Sequence, residues 1–180
     1  MAEIKKLVGT LEVEVDLCAG CRLCEIACSL NKEGTVFPAA SRIRVFQFHP
    51  GLIEVPSVCY RCGDYPCVAS CPPKVKAMTV DPETGIIKVD PEKCLGIKCG
   101  IRNCAGNCRQ KTAITFHPEK NYAMVCDLCG GDPSCVKVCP VQAIRYIPGS
   151  THDGMHNAQP PEVIAREFAV GLFGGQDVIK

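Results

Sequence analysis

The amino-acid sequence predicts an α+β fold built from two small units, with short strands, short helices and much loop. Its 180 residues suffice for one or two small domains. Aromatic residues make up only 6% of the chain and tryptophan is absent, so few large side chains remain to build an apolar core. Short strand-like stretches recur after groups of cysteines, which indicates an internal repeat.

The 16 cysteines form four ordered groups of four, and none is left over. Group one reads C-x2-C-x2-C-x3-C, group two C-x2-C-x4-C-x3-C-P, group three C-x4-C-x4-C-x3-C and group four C-x2-C-x5-C-x3-C-P. The members in chain order are Cys18, Cys21, Cys24 and Cys28; Cys59, Cys62, Cys67 and Cys71; Cys94, Cys99, Cys104 and Cys108; and Cys126, Cys129, Cys135 and Cys139.

This spacing favours iron–sulfur clusters. Three cysteines on a tight loop can hold one side of a compact anionic cluster, while the fourth points away and binds the other cluster of a pair. We expect this fourth cysteine at or near the start of the following helix, because the proline after groups two and four suits a first helical turn. Group one has the spacing of bacterial ferredoxins, with Ser29 in place of that proline.

Disulfides and zinc are the competing interpretations of the cysteines. The N-terminal segment alternates charged and apolar residues and shows no export signal, so we expect a cytoplasmic protein with reduced thiols. Zinc ribbons use paired C-x2-C knuckles, which the x3 spacing of the third and fourth cysteines does not match. For group three, with its unusual spacing, zinc or an empty site stays open, and three [4Fe-4S] clusters would then bind instead of four.

Short strands and turns are predicted around the cysteine groups. Strand-like stretches occur at 11–15, 43–48, 78–80, 114–116 and 144–147. The turn signal at 81–85 predicts a hairpin between 78–80 and 86–89. After groups two, three and four the chain reaches an alanine followed by an apolar residue, and the small side chain would let each turn lie close to a cluster. These alanines are Ala77, Ala113 and Ala143.

The order of the groups predicts two ferredoxin-like units. Residues 1–58 and 115–150 would form an outer unit with groups one and four, and residues 59–114 an inserted unit with groups two and three. Residues 151–180 would form a C-terminal docking tail. Apolar residues at helical spacing predict a helix there, which either packs on its own domain or docks on a catalytic subunit. They are Ile164, Phe168, Leu172 and Phe173.

Composition and motifs exclude several function classes. The net charge is +1, and no long basic run indicates nucleic-acid binding. No segment approaches the ~20 apolar residues of a membrane-spanning helix. The chain contains no dinucleotide fingerprint, nucleophile–base signature or phosphate loop, so no catalytic site of its own is predicted.

Histidines and basic residues carry weaker signals. The four histidines, His49, His117, His152 and His156, are expected in loops or at the surface rather than as metal ligands. Lysines and arginines near the cysteine groups could raise cluster potentials, although most are expected to be solvated surface charges. They are Arg22, Arg61, Lys74, Lys76, Lys98, Arg102 and Arg109.

The four ordered groups, over roughly residues 8–150, resemble the four-cluster iron–sulfur subunits of molybdenum and tungsten oxidoreductases, such as those of dimethyl sulfoxide reductase and formate dehydrogenase. In that family the first group pairs with the fourth and the second with the third. The resemblance implies four [4Fe-4S] clusters: A held by Cys18, Cys21, Cys24 and Cys139; B by Cys126, Cys129, Cys135 and Cys28; C by Cys59, Cys62, Cys67 and Cys108; and D by Cys94, Cys99, Cys104 and Cys71.

Group three departs from the family pattern, because it opens with C-x4-C and has Arg109 where a proline is usual. Cluster D and the last ligand of C depend most on the resemblance. The implied function is single-electron relay to or from a larger catalytic subunit with a molybdenum or tungsten pterin, with a further redox partner protein. Size and layout resemble the subunits of cytosolic tungsten aldehyde oxidoreductases and class II benzoyl-coenzyme A reductases of anaerobes. A free soluble polyferredoxin and a hydrogenase-linked iron–sulfur subunit are the alternatives.

Overall fold

The computed structural model describes residues 9–48, 52–100, 103–149 and 159–174. Within these ranges it is a small mixed structure of short helices and strands. The helices are α1 (Leu23–Glu33), α2 (Pro66–Ala69), α3 (Ser134–Lys137) and α4 (Pro161–Leu172). The strands are β1 (Gly9–Val13), β2 (Arg44–Phe48), β3 (Ile53–Ser57), β4 (Met78–Val80), β5 (Ile87–Val89), β6 (Thr115–Phe116), β7 (Ala123–Met124) and β8 (Ile144–Pro148).

The strands pair as four separate antiparallel ladders, β1 with β8, β2 with β3, β4 with β5 and β6 with β7. The predicted strands at 43–48, 78–80, 86–89, 114–116 and 144–147 are confirmed within one residue at each end. The strand predicted at 11–15 lies two residues earlier, because the ladder with β8 runs from Gly9 opposite Pro148 to Val13 opposite Ile144. Beyond it, Val15–Leu17 form a single 3-10 turn that leads into group one.

The helices near the cysteines differ from the sequence prediction. Each of α1, α2 and α3 carries the third cysteine of its group as its second residue, namely Cys24, Cys67 and Cys135. The expectation that the fourth cysteine lies near the start of a following helix was wrong. Only in group one does the fourth cysteine, Cys28, lie within the helix; in groups two and four it follows the helix end, at Cys71 and Cys139.

The prolines after groups two and four, Pro72 and Pro140, follow the ends of α2 and α3 and do not begin new helices. A residue before proline is disfavoured in the helical conformation, and α2 and α3 both stop before the cysteine that precedes Pro72 or Pro140. Group one has Ser29 at the corresponding position, and α1 continues past it to Glu33. The buried Ser29 hydroxyl donates to the Ile26 carbonyl at 3.0 Å and accepts from the Phe37 amide at 3.1 Å, which ties the helix to the loop that follows.

Two buried clusters organise most of the described chain. The first, which we call the outer core, consists of Leu11, Val13, Cys24, Cys28, Ile43, Val45, Val58, Tyr60, Leu128, Cys135 and Ile144. The second, the inner core, consists of Cys59, Cys67, Met78, Ile87, Ala113, Ile114, Ala123 and Val125. Most of the outer core comes from segments around groups one and four, with Val58 and Tyr60 from beside group two, and most of the inner core from segments around groups two and three, with Ala123 and Val125 from before group four. The division of the whole chain into two ferredoxin-like units stays a prediction.

Helix α4 packs against β3. Ala165 and Ala169 are fully buried against Ile53 and Val55, with the predicted Ile164 and Phe168 at the edge of this contact. One of the two expected roles of the helix, packing on its own domain, is therefore present. Within the described ranges, no helix combines the length and apolar character needed to cross a membrane.

Candidate metal centres

The 16 cysteines are free thiols that line four cavities. Each cavity has three cysteines from one group and one from another. Cavity A is lined by Cys18, Cys21, Cys24 and Cys139; cavity B by Cys28, Cys126, Cys129 and Cys135; cavity C by Cys59, Cys62, Cys67 and Cys108; and cavity D by Cys71, Cys94, Cys99 and Cys104. The structure thus brings together the four sets of cysteines that the family resemblance implied. That each set binds a cluster stays a prediction.

Backbone N–H groups point at the thiol sulfurs. The amide of Arg42 donates to Cys28 Sγ and the amide of Ala123 to Cys94 Sγ, both at 3.3 Å. In cavity A the amide of Gly20 donates to the sulfur of Cys18. Such donors offset the negative charge of cluster-bound thiolates.

Small side chains let the chain approach the cavities closely. Ala77, Ala113 and Ala143, the alanines that follow groups two, three and four, are all nearly inaccessible to solvent. Each lines one cavity: Ala77 lines D, Ala113 lines C and Ala143 lines A. The remaining lining is mostly apolar, which favours exclusion of water.

One 3-10 turn, Gly96–Cys99, accommodates the unusual spacing of group three. Gly96 has φ +59°, and a Cβ there would lie 1.8 Å from the Asn121 carbonyl oxygen, so only glycine fits. The Asn121 side chain accepts a hydrogen bond from the Ile97 amide at 3.2 Å. This turn keeps both Cys94 and Cys99 on cavity D despite the longer interval between them.

Burial raises the pKa of several of the cysteine thiols. It raises the pKa of Cys24, Cys59 and Cys67 to about 12 and that of Cys104 to about 11, with further increases from neighbouring charged groups. Metal ligation requires the thiolate, so binding has to displace these protons and is coupled to folding.

The four cavities form a continuous series from A to D. Thiols of successive cavities lie close enough to interact electrostatically. The pairs that join A to B, B to C and C to D are Cys24 with Cys135, Cys59 with Cys126, and Cys67 with Cys104. At one end of the series Cys21 is exposed, and at the other Ile97, in the turn of cavity D, is 67% exposed.

One of the basic residues near the cysteine groups is buried, although most of them were expected to be solvated surface charges. Arg61, between two cysteines of group two, is only 2% exposed. Its guanidinium donates to the carbonyls of Gly9 at 2.7 Å and Thr84 at 3.2 Å. Its Nε has no hydrogen-bond partner among the described residues. Arg61 therefore joins β1 to the β4–β5 hairpin through buried bonds, which its sequence position did not indicate.

Gln110 is a second residue that the sequence did not single out. It lines cavity C and is 2% exposed. The only signal in the sequence is its position two residues after Cys108, and a polar residue there would normally be assigned to the surface.

Of the four histidines, only His117 lies in the described residues. It is a loop residue, as expected, but it is 3% exposed and so is not at the surface. Its ring stacks on Tyr122 with centroids 5.2 Å apart, and Nε2 lies 3.4 Å from a carboxylate oxygen of Glu33. His49, His152 and His156, together with Arg102, lie outside the described residues.

The donor sets fit iron–sulfur clusters. Four thiols surround each cavity, with N–H donors on several sulfurs, as an anionic cluster requires. In the part of the chain that the structure describes, no three Cys, His, Asp or Glu side chains converge closely enough to hold a single metal ion.

Comparison with known proteins agrees with these features. Residues 52–148 match the family model described as a 4Fe-4S dicluster domain. The chain is 47% identical over 96% of its length, and 96% of the relative's, to the polyferredoxin-like subunit of an aliphatic sulfonate oxidoreductase from Pyrococcus furiosus. It is 28% identical to the thiosulfate reductase electron transfer subunit PhsB of Salmonella typhi, over 72% of this chain and 70% of that one.

Among solved structures, the BamBC active-site complex of benzoyl-coenzyme A reductase with 1,5-dienoyl-CoA includes a chain that aligns over 94% of both chains, with 22% identity and a TM-score of 0.48. The match to the family model covers more than half of the chain, and the Pyrococcus relative matches nearly all of it. The chain therefore belongs to the 4Fe-4S dicluster domain family of iron–sulfur electron-transfer proteins.

Proposed function

We propose that the chain is an electron-transfer subunit that relays single electrons through four [4Fe-4S] clusters to or from a larger catalytic oxidoreductase subunit. The observation that carries this proposal is the series of four cavities, each lined by four cysteines and linked to the next through neighbouring thiols. When bound, such clusters supply one-electron redox chemistry with little movement of their ligands.

The protein would contribute fixed distances and a tuned environment. Cysteine sets A to D would each hold one cluster, and the grouping of their cysteines around the four cavities supports this pairing. The apolar lining and the backbone N–H donors would exclude water and adjust the potentials. The exposed Cys21 beside cavity A and the exposed turn around Ile97 beside cavity D make these the two ends at which partner proteins could exchange electrons.

The catalytic partner is proposed to be a molybdenum- or tungsten-pterin enzyme. The ordered cysteine groups support this through their resemblance to the subunits of such enzymes. The Pyrococcus relative is by name a subunit of an aliphatic sulfonate oxidoreductase, so an enzyme of that kind is the first candidate. The outward face of α4, with Val163 at 36% and Val170 at 40% exposure, is the part of the proposed docking tail that the structure describes.

Anaerobic purification at native expression level tests the partner. We expect this chain to elute with a larger protein that contains tungsten or molybdenum. That enzyme's substrate should change the cluster absorbance of the complex, with bleaching if the substrate donates electrons and recovery of absorbance by reduced clusters if it accepts them. Val170→Glu should weaken the association, while Glu162→Gln, on the same helix, should leave it unchanged. Elution as a monomer without a partner would contradict the proposal and support a diffusible polyferredoxin.

A further inference from the structure

The Gln110 carboxamide is buried without a partner. It is 2% exposed, and neither Nε2 nor Oε1 has a hydrogen-bond partner among the described residues. Buried side-chain amides are nearly always hydrogen-bonded, so a partner is expected at this position. Gln110 lines cavity C together with Cys59, Cys62, Cys67 and Cys108. We therefore expect the hydrogen-bond acceptor for the Gln110 amide to lie inside that cavity.

Other donors already surround the same cavity. The backbone amides of Gln110, Lys111 and Ala113 donate to the sulfur of Cys108. The Arg109 guanidinium donates to the sulfur of Cys62 and also pairs with Asp64, at 2.6 Å. Cavity C thus combines backbone, charged and amide donors, and all of them would favour a negatively charged occupant.

The other cysteine groups have no amide at the matching position. Two residues after the fourth cysteine, the four groups have Leu30, Pro73, Gln110 and Val141. Leu30, Pro73 and Val141 are all exposed, and Val141 also lines cavity A. Cavity A therefore has an exposed apolar side chain where cavity C has a buried hydrogen-bond donor.

We propose that the Gln110 NH₂ group donates a hydrogen bond to the cluster in cavity C and so raises its reduction potential above that of the cluster in cavity A. The inference rests on the proposed function, because it requires clusters in both cavities. Reduction adds negative charge, and a buried donor stabilises the more negative state. An anionic acceptor also selects the NH₂ end of the amide over the carbonyl end.

The test is an anaerobic redox titration of the whole chain monitored by EPR. Gln110→Met keeps the length of the side chain and removes the donor. We expect the equilibrium constant for reduction of one cluster to fall about tenfold, which is 59 mV for a one-electron couple, with the iron content unchanged. Gln142→Met, an exposed amide near Cys139, is the matched control and should shift no potential. A Cys62→Ser variant that alters the same EPR signal identifies cavity C.

The outcomes separate this inference from the proposed function. Wild-type protein without clusters would refute both. A full complement of iron with unchanged potentials in Gln110→Met would refute the role of Gln110 alone. If that variant does not retain the cluster, wild-type protein with ¹⁵N-labelled glutamine amides serves instead. A ¹⁵N coupling on one cluster signal that is absent in Gln110→Glu, with that cluster signal retained, supports the hydrogen bond, and no coupling on any signal of the wild-type protein refutes it.

Discussion

The outer and inner cores are stabilised in different ways. The outer core adjoins the 11-residue helix α1 and two ladders of five-residue strands, and large aliphatic side chains fill it. The inner core adjoins the four-residue helix α2 and ladders of three and two residues. Five further cysteines pack around the inner core, namely Cys71, Cys94, Cys104, Cys108 and Cys126, and two, Cys18 and Cys126, pack around the outer core.

This difference indicates which interactions stabilise the folded structure of each region. Short ladders and single-turn helices have little stability of their own in water. We therefore expect the inner region to depend on cluster binding, because the binding free energy becomes folding free energy. We expect the apolar burial of the outer region to retain its strands when one cluster is lost.

Substitution of a single cysteine ligand should give the largest difference between the inner and outer regions. Cys24 and Cys67 are matched, since each is the second residue of its helix and 7% exposed. We expect Cys67→Ser to lose the cluster of cavity C and to speed hydrogen exchange in the β4–β5 hairpin by at least about a hundredfold. Cys24→Ser should lose the cluster of cavity A while exchange in the β1–β8 ladder changes by less than about tenfold.

Hydrogen exchange measured by mass spectrometry under anaerobic conditions checks both variants. Equal loss of protection in the two regions would show that clusters organise the whole chain and would remove the distinction between the cores. The iron content of each variant shows that one cluster, and not all of them, is missing.

A substitution in the outer core tests whether apolar burial stabilises that region. Leu11 is fully buried in the outer core. Leu11→Ala should reduce the free energy of opening in the outer region by about 3 kcal/mol through lost burial and a residual cavity. Leu17→Ala, at a position 45% exposed, should cost less than about 0.5 kcal/mol. A similar cost for both substitutions, read from exchange of the β1 amides, would contradict the account of the outer core.

An ion-pair network joins the two regions and gives a smaller effect. Glu33, at the end of α1, accepts a hydrogen bond from Arg42 at 2.7 Å and pairs with Lys120, 3.2 Å away in the β6–β7 turn. The side chains of Glu33 and Arg42 are only 8% and 11% exposed. Glu33→Gln should lower the free energy of unfolding by about 2 kcal/mol, because it leaves a buried cation unpaired. Asp132→Asn, in an exposed pair with Lys137, should cost less than about 0.5 kcal/mol.

The contribution of Glu33 depends on pH in a definite direction. Burial raises the pKa of this carboxyl, but the hydrogen bonds from Arg42 and Lys120 outweigh it and hold the pKa below its usual value. The stabilisation is therefore complete above the unfolded pKa of about 4.3 and is lost as the pH falls through the lowered value. The difference between wild type and Glu33→Gln should shrink below about pH 4. A difference that grows on acidification would contradict this assignment.

Much of the structure could be predicted from the sequence because local chemistry determines it. The cysteine intervals indicated the ligand sets once the family resemblance supplied the pairing, and the turn at 81–85 located the β4–β5 hairpin. The prediction for the fourth cysteines was wrong because it assigned the C-x3-C interval to a loop before a helix. An interval of this length spans one helical turn. Pro72 and Pro140 then had to end a helix, and Ser29 explains why α1 continues.

The remaining features depend on tertiary contacts that no local pattern shows. Arg61 and Gln110 are polar residues in loops, and only the assembled fold buries them. Gly96 is required because Asn121, 25 residues further along the chain, lies against it.

The central claim is that this chain holds four [4Fe-4S] clusters, and metal and sulfide analysis of anaerobically purified protein tests it most directly. The account predicts about 16 iron and 16 acid-labile sulfide per chain, with no zinc. About 12 iron would show that the unusual group three does not complete cavity D. Stoichiometric zinc without sulfide would contradict the claim and point to a zinc-bound scaffold.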